Sequence, residues 1–321
     1  MNASPPCGEN TTVVVPTRNR PRQLAAALRS LATQTEAPAV VVVVDDGSTP
    51  PVELTDWSGP GRLLLLRRDD RHGEGATRNT GLAAVRTEWV AWCDDDDLWA
   101  PWKLAEQFAA IRRHPDSDWC IGEAAVSDGR TITGYVGLGE MAAPGVEFER
   151  LLLCSNSIGA PMSNLLARTS TIREVGAFDE ELPVFTDWDL LIRLSAHGPP
   201  ALVHRPVAVY RRHGGQMTVD LDNGPRVVAD MRHRYGDRRA RHGIGPGDDR
   251  VALWLAARQA RRSPRAAVRS LRTAPLVESP ADLVRLLASI RRSAEDRLLH
   301  RRSRRAARND LAILAGIVAT A

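Results

Sequence analysis

Short apolar runs and amphipathic segments alternate along the first third of the chain. Residues 12–15 and 40–44 are continuous β-branched runs, the form expected of strands that are buried on both faces of a parallel sheet. Between them, leucines recur at helical spacing behind Pro21, a residue suited to the first turn of a helix. Further elements are predicted as strands over 63–66 and 89–93 and a helix over 75–85. This alternation predicts an α/β fold with a mainly parallel central sheet flanked by helices.

The pattern becomes less regular in the second half of the chain. Glycine and proline are scattered over 122–161, where we expect loops that shape a pocket and determine specificity. The regular elements predicted in this half are a helix over 101–113, a helix over 185–196 and a strand over 201–210. After Gly224 the sequence changes to arginine- and alanine-rich helical segments separated by prolines. We therefore expect one domain over 1–224 and an arginine-rich helical C-terminal region over 225–321.

Charge is distributed unevenly between these two parts. Residues 225–310 hold 22 arginines against nine acids, whereas the rest of the chain holds 21 basic residues against 30 acids. A basic surface of this kind can contact anionic lipid, so peripheral contact with an anionic membrane through 225–310 is one interpretation. The other is a set of solvated helix faces with ion pairs, and the sequence does not decide between them. No nucleic-acid partner is expected.

The sequence lacks the usual signals for membrane insertion, for secretion, and for zinc binding or disulfide formation by cysteines. No stretch approaches the roughly 18 apolar residues of a membrane-spanning helix. The N-terminus has neither a basic start nor an apolar core. We expect a cytoplasmic protein, attached peripherally at the inner membrane face if the basic region contacts lipid. The four cysteines show no Cys-x-x-Cys spacing, so neither a zinc site nor a disulfide framework is expected.

Four consecutive aspartates, Asp94 to Asp97, follow the apolar run over 89–93. Adjacent carboxylates repel one another unless a cation or protons compensate them, and Mg²⁺ or Mn²⁺ take oxygen ligands that they often share with substrate phosphates. Ligands of α/β sheets bind beyond the carboxyl ends of the strands, where this run and Asp45-Asp46 are expected to lie. A solvated acidic loop is the alternative. The pattern favours a divalent metal ion and a phosphate-bearing substrate.

Several polar strings follow one another along the chain: VVVPTRNR over 13–20, VDDGST over 44–49, GATRNTG over 75–81, the aspartate run ending at Trp99, FTDWDL over 185–190 and YRRH over 210–213. In order and spacing they resemble the family 2 inverting glycosyltransferases. The resemblance implies a GT-A type nucleotide-diphospho-sugar transferase fold, with 1–224 as the catalytic domain. It also implies a nucleotide-sugar donor, for which a UDP-sugar is favoured, and a hydroxyl acceptor of unknown kind.

The same resemblance assigns donor-side roles to residues outside the aspartate run. Thr17 and Asp46 would hold the nucleotide base and ribose, since a carboxylate accepts hydrogen bonds from a base N–H or ribose hydroxyls. Asp45 is interpreted as structural, within a tight turn. Arg78 would pair with the diphosphate or orient a neighbouring carboxylate. An ordinary surface arginine is the alternative for Arg78.

Within the aspartate run, Asp94-Asp95-Asp96 resembles the family's Asp-x-Asp metal motif. Asp96 would then coordinate Mn²⁺ or Mg²⁺, Asp94 would contact the metal or the ribose, and Asp95 would belong to the donor site. Asp97 would contact a sugar hydroxyl or serve a structural role. His213 would add a metal ligand, although histidines are more often surface or core residues.

By resemblance, Asp187 is the catalytic base that removes the proton from the acceptor hydroxyl. A general base needs hydrogen-bond reach and an ionised carboxylate. Thr186-Asp187 stands in place of the family's frequent Glu-Asp pair, and a helix N-cap is the competing role for Asp187. Asp189 is interpreted as structural. Trp99 and Trp188 could line the sugar pocket, but core packing is favoured for both.

Two other function classes stay open alongside the transferase. A sugar-nucleotide nucleotidyltransferase would also use an α/β nucleotide fold, but it typically carries a glycine-rich string after the first strand, where this chain has Pro16-Thr17-Arg18-Asn19. A non-catalytic binding or scaffold protein with the same fold is the second alternative. The joint presence of Asp46, Arg78, Asp96 and Asp187 argues against a scaffold.

Overall fold

The computed structural model describes residues 7–54, 57–143, 145–156, 158–212, 223–260, 263–273, 276–282, 284–287, 304–305 and 307–321. Within these residues the strands form one mixed sheet in the order β3-β2-β1-β4-β8-β6-β9-β5, and β7 pairs with β6. The strands are β1 (Thr11–Thr17), β2 (Val40–Asp46), β3 (Arg62–Arg68), β4 (Trp89–Trp92), β5 (Leu98–Trp99), β6 (Trp119–Ser127), β7 (Ile132–Val136), β8 (Leu166–Arg168) and β9 (Ala201–Arg211).

Helices cover both faces of this sheet. Those in the first two thirds of the chain are α1 (Pro21–Ala32), α2 (Glu74–Ala84), α3 (Lys103–Arg113), α4 (Phe148–Cys154), α5 (Pro161–Asn164), α6 (Thr169–Glu174) and α7 (Thr186–Ser195). The later helices are α8 (Gly224–Arg234), α9 (Gly236–Arg241), α10 (Arg250–Ala260), α11 (Pro264–Thr273) and α12 (Arg308–Thr320). The predicted fold class is confirmed, and the strands and helices expected before residue 100 are all present.

The first four strands pair in parallel, which brings their carboxyl ends to one edge. Val13 lies opposite Val41 in β2 and Ala91 in β4, and Thr17 lies opposite Asp45. Residues 13–15 of β1 and 41–44 of β2 are buried, so these valines are covered on both faces of the sheet, as their continuous β-branched runs predict. The polar residues that follow each run therefore meet at the carboxyl edge of the sheet, where ligands of such folds bind.

The expectation of irregular structure over 122–161 is wrong at its beginning, because β6 and β7 form a hairpin there. All nine residues of β6 are buried, so the strand shows no alternation of polar and apolar positions. Gly122 further disguises it. A side chain at Gly122 would meet Val207 of β9 at 2.9 Å, so the glycine permits the close pairing of β6 with β9.

The helices after residue 224 share a hydrophobic core with the part of the chain before it. Val228, Met231 and Leu255 are buried in the same cluster as Trp188 and Leu190 of α7. The domain boundary near residue 224 stays a prediction from composition. It does not mark a gap in the packing of the described residues.

Two expectations about the chain as a whole can be set beside the structure. No helix in the described residues is long and apolar enough to cross a membrane. The cysteines are free thiols, and burial raises the pKa of Cys120 to about 12. Of the helical segments expected after Gly224, the stretch over 288–303 lies outside the described residues.

Candidate active site

A cleft of about 520 Å³ lies at the carboxyl edge of the parallel strands. It gathers residues from the ends of β1, β2 and β4 and from the starts of α2 and α7. The predicted site residues in its lining are Thr17, Asp46, Arg78, Asp94, Asp95, Asp96 and Asp187. The structure thus brings together every predicted site residue except His213, which lies outside the described residues.

Asp46 ties the end of β2 to the loop that leads into α2. Its carboxylate accepts hydrogen bonds from the backbone N–H groups of His72 at 3.0 Å and Gly73 at 3.3 Å. The neighbouring Asp45 is fully buried and accepts from the backbone N–H groups of Ser48 and Val52. Burial alone would raise the pKa of Asp45, but these hydrogen bonds and Arg67 hold it below its usual range. Asp45 therefore organises the turn, and Asp46 faces the cleft.

Arg78 is a buried cation at the centre of an acidic cluster. Its Nη2 donates to Glu74 Oε1 and to Asp94 Oδ1, both at 2.7 Å, and its Nη1 lies 3.3 Å from the Thr186 hydroxyl. The side chain is 2% exposed, whereas those of Glu74 and Asp94 are 31% and 25% exposed. Arg78 therefore serves as an internal counter-ion that fixes two carboxylates at the cleft surface.

Glu74 has a strongly perturbed carboxyl group. Burial raises its pKa, the negative charges of Asp94 and Asp187 add to the rise, and Arg78 opposes it, with a resulting value of about 7. A group of this kind exchanges its proton near neutral pH. Perturbed carboxyls in clefts are common in active sites.

Asp95 and Asp96 are bound by residues of the loop after β1. The Thr17 hydroxyl donates to Asp95 Oδ2 at 2.7 Å, and Arg20 Nη1 lies 3.0 Å from Asp95 Oδ1 and 2.8 Å from Asp96 Oδ2. Burial and the adjacent charge of Asp96 raise the pKa of Asp95 to about 6, against the opposing effect of Arg20. Thr17 therefore lines the cleft with its hydroxyl hydrogen-bonded to Asp95 of the aspartate run.

The far end of the run is anchored in the protein interior. The Ser163 hydroxyl accepts from the backbone N–H of Asp94 at 3.0 Å and donates to Asp97 Oδ2 at 2.6 Å. Asp97 is 1% exposed, and burial together with the charges of Asp96 and Asp94 raises its pKa well above the usual range. Arg211 of β9 also donates to the backbone carbonyls of Asp95 and Asp96. Asp97 has a structural position, which is one of the two roles considered for it.

The carboxylate oxygens at this edge of the sheet suit a divalent ion that prefers oxygen ligands. The carboxylates of Asp94 and Asp96 both line the cleft and are 25% and 12% exposed. In the described part of the chain, no group of three or more His, Cys, Asp or Glu side chains converges as a metal site. Ions such as Mg²⁺ are often bound by one or two carboxylates together with substrate phosphates and water, so the two aspartates fit that mode of binding.

Asp187 lies in the first turn of α7, across the cleft from the aspartate run. The N-cap residue of α7 is Phe185, and the Asp187 carboxylate accepts from the backbone N–H of Trp188 at 2.7 Å. Burial raises the pKa of Asp187, and the opposing charge of Arg78 does not cancel the rise. Trp188 and Trp99 are buried in the core, which is the role favoured for both.

Asp189, two residues further, points into the core and not into the cleft. It is fully buried and accepts from Arg193, from Arg234 at 3.1 Å and from the Tyr235 hydroxyl at 2.6 Å. Asp189 therefore joins α7 to α8 and the residue that follows α8.

Comparison with known proteins shows what this arrangement of residues is similar to. Residues 12–157 match the family model described as glycosyl transferase family 2. This stretch of the chain, which contains the ends of β1, β2 and β4 at the cleft, is similar to glycosyltransferase family 2. The pre-mycofactocin glycosyltransferase of Mycobacterium tuberculosis is 33% identical over 217 residues, which are 64% of this chain and 43% of that relative. The chain thus spans less than half of that relative's length.

Other relatives and solved structures agree with the family. A PGL/p-HBAD biosynthesis glycosyltransferase of Mycobacterium bovis is 28% identical over 235 residues, 71% of this chain and 86% of the relative. The structure of S. aureus TarS 1-349 with UDP-GlcNAc has a TM-score of 0.53 at 18% identity, over 88% of this chain and 72% of that one. The mannosyltransferase PcManGT of Pyrobaculum calidifontis has a TM-score of 0.50 at 18% identity, over 97% and 87%. These structures support the GT-A type fold.

Sequence reasoning missed three residues of this cleft. Glu74 stands four residues before Arg78, and that helical spacing was a usable signal. Arg20 follows Asn19 directly, but nothing in the local pattern shows where its side chain points. Trp254 of α10 lines the cleft and is 43% exposed, and no local motif connects it to the site.

A second, larger groove of about 1090 Å³ runs between α1 and the segment 48–58. Its lining is mainly apolar and includes Leu24, Leu28 and Trp57. Arg20 borders both cavities, whereas the other acids and arginines assigned to the site line only the smaller cleft: Asp46, Glu74, Arg78, Asp94, Asp95, Asp96 and Asp187. Chemistry, and not volume, therefore decides which cavity is the candidate active site.

Proposed function

We propose that the chain is a metal-dependent inverting glycosyltransferase that moves a sugar from a nucleotide-diphosphate donor, with a UDP-sugar favoured, to an acceptor hydroxyl. One observation carries the proposal. Asp46, Arg78, Asp94, Asp96 and Asp187 line a single cleft at the carboxyl edge of the parallel strands. Donor-side groups and a candidate base therefore face the same space.

On the donor side, Thr17 and Asp46 are proposed to border the nucleoside, and Asp94 and Asp96 the diphosphate. Asp94 and Asp96 would hold the divalent ion, which when bound neutralises charge on the departing diphosphate. Arg78 keeps Asp94 in place through its 2.7 Å contact. The role of His213 as a further ligand stays a prediction from the sequence.

On the acceptor side, Asp187 is proposed to take the proton of the attacking hydroxyl. As the acceptor oxygen bonds to the anomeric carbon, the bond from that carbon to the phosphate oxygen breaks, and its electron pair leaves with the nucleoside diphosphate. This single displacement inverts the anomeric centre. The raised pKa of Asp187 makes its carboxylate a stronger base than an exposed aspartate. Phe185 and Trp254 line the cleft with Asp187 and would supply aromatic surface to the acceptor.

The structural neighbours give support for the choice of donor class. TarS has been crystallised with UDP and with UDP-GlcNAc, and PcManGT with GDP-Man and Mn²⁺. These ligands belong to those proteins. They make nucleotide diphosphate sugars with Mn²⁺ the first compounds to try on this chain.

Peripheral contact of the region 225–310 with anionic lipid is a separate, weaker part of the proposal. Several of its arginines pair with acids of the protein: Arg232 with Asp249, Arg234 with Asp179, Arg238 with Glu149 and Arg250 with Glu140. Any lipid contact would depend on exposed arginines such as Arg226, which is 81% exposed. Sedimentation with vesicles of anionic and of neutral lipid tests it, and equal sedimentation with both would contradict it.

The test of the transferase proposal is a screen of UDP-, GDP- and dTDP-sugars with Mn²⁺ or Mg²⁺. Thermal stabilisation and slow release of the nucleoside diphosphate are measured for the full chain and for Asp96→Asn. We expect at least one donor to stabilise the chain and to be hydrolysed, and we expect Asp96→Asn to lose both effects. The proposal fails if no donor stabilises the chain, or if the same donor stabilises the variant equally.

A further inference from the structure

Arg20 occupies the space between two acids of the aspartate run. Its Nη1 contacts Asp95 Oδ1 at 3.0 Å and Asp96 Oδ2 at 2.8 Å. The Arg20 side chain is 28% exposed, whereas those of Asp95 and Asp96 are 5% and 12% exposed. A single half-buried cation therefore bridges two nearly buried carboxylates.

The backbone around Arg20 is fixed from two directions. Asn19 has a φ of 54° and is joined to the end of β2, because its N–H donates to the Ser48 hydroxyl and its side-chain carbonyl accepts from the Thr49 N–H. Pro21 begins α1 on the other side. The position of Arg20 at the aspartate run is thus set by the fold and not by its own ion pairs alone.

A divalent ion and this guanidinium compete for the same oxygen. Asp96 is the residue proposed to coordinate the metal, and a bound Mg²⁺ or Mn²⁺ stands about 2.1 Å from a carboxylate oxygen. The Asp96 Oδ2 that faces Arg20 cannot carry such an ion while the guanidinium lies 2.8 Å away. Two cations at that spacing would also repel each other strongly.

We propose that Arg20 is an internal counter-ion of Asp95 and Asp96 that a divalent cation displaces, and that the displaced guanidinium then binds the diphosphate of the donor. The inference rests on the proposed metal-dependent function. It makes Arg20 a residue that lowers the affinity of the empty cleft for metal and contacts the donor once the metal is bound. Metal then binds well only together with a phosphate-bearing donor, because guanidinium and phosphate form strong paired hydrogen bonds.

The test measures Mn²⁺ binding to the full chain without donor. The electron paramagnetic resonance signal of free Mn²⁺ reports how much of the ion stays unbound. The variants are Arg20→Gln, the double variant Arg20→Gln with Asp96→Asn, and the charge control Arg71→Gln, since Arg71 lines the same cleft. We expect Arg20→Gln to bind Mn²⁺ about 10-fold more tightly than the unaltered chain. The gain should vanish in the double variant, and Arg71→Gln should give a much smaller gain.

A second measurement follows the displaced guanidinium. With Mn²⁺ at saturation, UDP should bind Arg20→Gln about 10-fold more weakly than the unaltered chain, although metal alone binds the variant better. Opposite changes for the two ligands are not expected from a variant that is merely unfolded. Arg20→Lys keeps the charge but not the paired N–H donors of the guanidinium, so it should give intermediate affinities for Mn²⁺ and for UDP.

The proposal is overturned by any of the following results. These are equal Mn²⁺ affinities of the unaltered chain and Arg20→Gln, an equal gain in Arg71→Gln, or a gain that survives Asp96→Asn. Absence of Mn²⁺ binding by Arg20→Gln also overturns it, because the freed carboxylates should then hold the ion. If nucleotide sugars still stabilise the unaltered chain in these cases, the transferase proposal stands while the role of Arg20 falls.

Discussion

Two clusters of arginines and carboxylates in this molecule use the same chemistry for different ends. In the cleft, Arg78 contacts Glu74 and Asp94, whose side chains are 31% and 25% exposed. Between α7 and α8, Asp189 is fully buried and accepts from Arg193, Arg234 and Tyr235. In the cleft the arginine is buried and the acids reach solvent, whereas at the helix interface the acid is buried and the arginines reach solvent.

This inversion explains which cluster can act on a ligand. A carboxylate with exposed oxygen retains lone pairs for a cation or a hydroxyl, whereas a carboxylate surrounded by donors has none to offer. Asp187 and Asp189 show the contrast within one helical turn. Asp187 lines the cleft, and Asp189 links the helices. The surroundings of these two aspartates, and not their residue type, therefore separate the proposed catalytic role of Asp187 from the structural role of Asp189.

The largest effect is expected for Asp187→Asn. Loss of the base should lower the rate of sugar transfer by about 10²- to 10⁴-fold, the usual contribution of general-base catalysis. Donor affinity and the melting temperature should stay close to those of the unaltered chain. Single-turnover transfer assays and donor titrations measure the two quantities. A variant that loses donor binding as fully as it loses transfer would show that Asp187 does not have a separate acceptor-side role.

Asp189→Ala is expected to lower the stability of the fold, whereas Asp187→Asn is expected to lower the rate of transfer. Removing a buried carboxylate from its arginines and from Tyr235 should reduce the free energy of unfolding by about 3 kcal/mol. The matched control is Asp179→Ala, because Asp179 contacts the same Arg234 with a side chain that is 22% exposed. That control should cost no more than about 1 kcal/mol. Equal losses in urea denaturation would break the comparison between buried and exposed carboxylates.

Glu74→Gln tests the cleft cluster through its pH dependence. The folded-state pKa of Glu74 is raised from 4.5 to about 7, so Glu74 stabilises the fold below pH 4.5, and this contribution is lost as the pH rises through 7. The variant has no such loss. Its melting temperature should therefore rise relative to the unaltered chain, by about 1–3 °C, between pH 4.5 and pH 8.

The control for this prediction is Glu53→Gln at an exposed position, where the difference in melting temperature should not change with pH. A difference for Glu74→Gln that is constant over the range, or that falls with pH, would contradict the raised pKa and the burial that causes it.

The smallest effect is expected for Arg226→Ala. Arg226 and Asp230 are 3.7 Å apart, with side chains that are 81% and 60% exposed. Such pairs contribute little, and the change in unfolding free energy should stay within about 0.5 kcal/mol. Chemical denaturation measures it. A loss as large as that of Asp189→Ala would mean that exposure does not rank the ion pairs of this protein.

The carboxyl edge of the parallel strands was predictable from sequence, because each of these buried strands is a continuous apolar run that ends in polar residues. The runs of β1, β2 and β4 place Thr17, Asp46 and Asp94 at strand ends, and parallel pairing then brings those ends together. Strand periodicity and sheet geometry are local properties, so one sequence suffices to read them.

The remaining features depend on contacts that are distant in sequence. The strand β6 is buried along its whole length and contains Gly122 and Glu123, so it shows neither alternation nor a continuous apolar run. Trp254 reaches the cleft only because α10 packs on the same hydrophobic core as α7. Arg20 lies within a predicted loop, but its contact with Asp96 depends on the path of that loop across the sheet edge.

The most direct test of the account is a crystal structure of Asp187→Asn with Mn²⁺ and the intact nucleotide sugar that stabilises the chain best. We expect the diphosphate against Asp94 and Asp96 in the cleft of about 520 Å³, with the anomeric carbon facing position 187. A donor bound in the larger groove between α1 and the segment 48–58, with its phosphates away from the aspartates, would contradict the account.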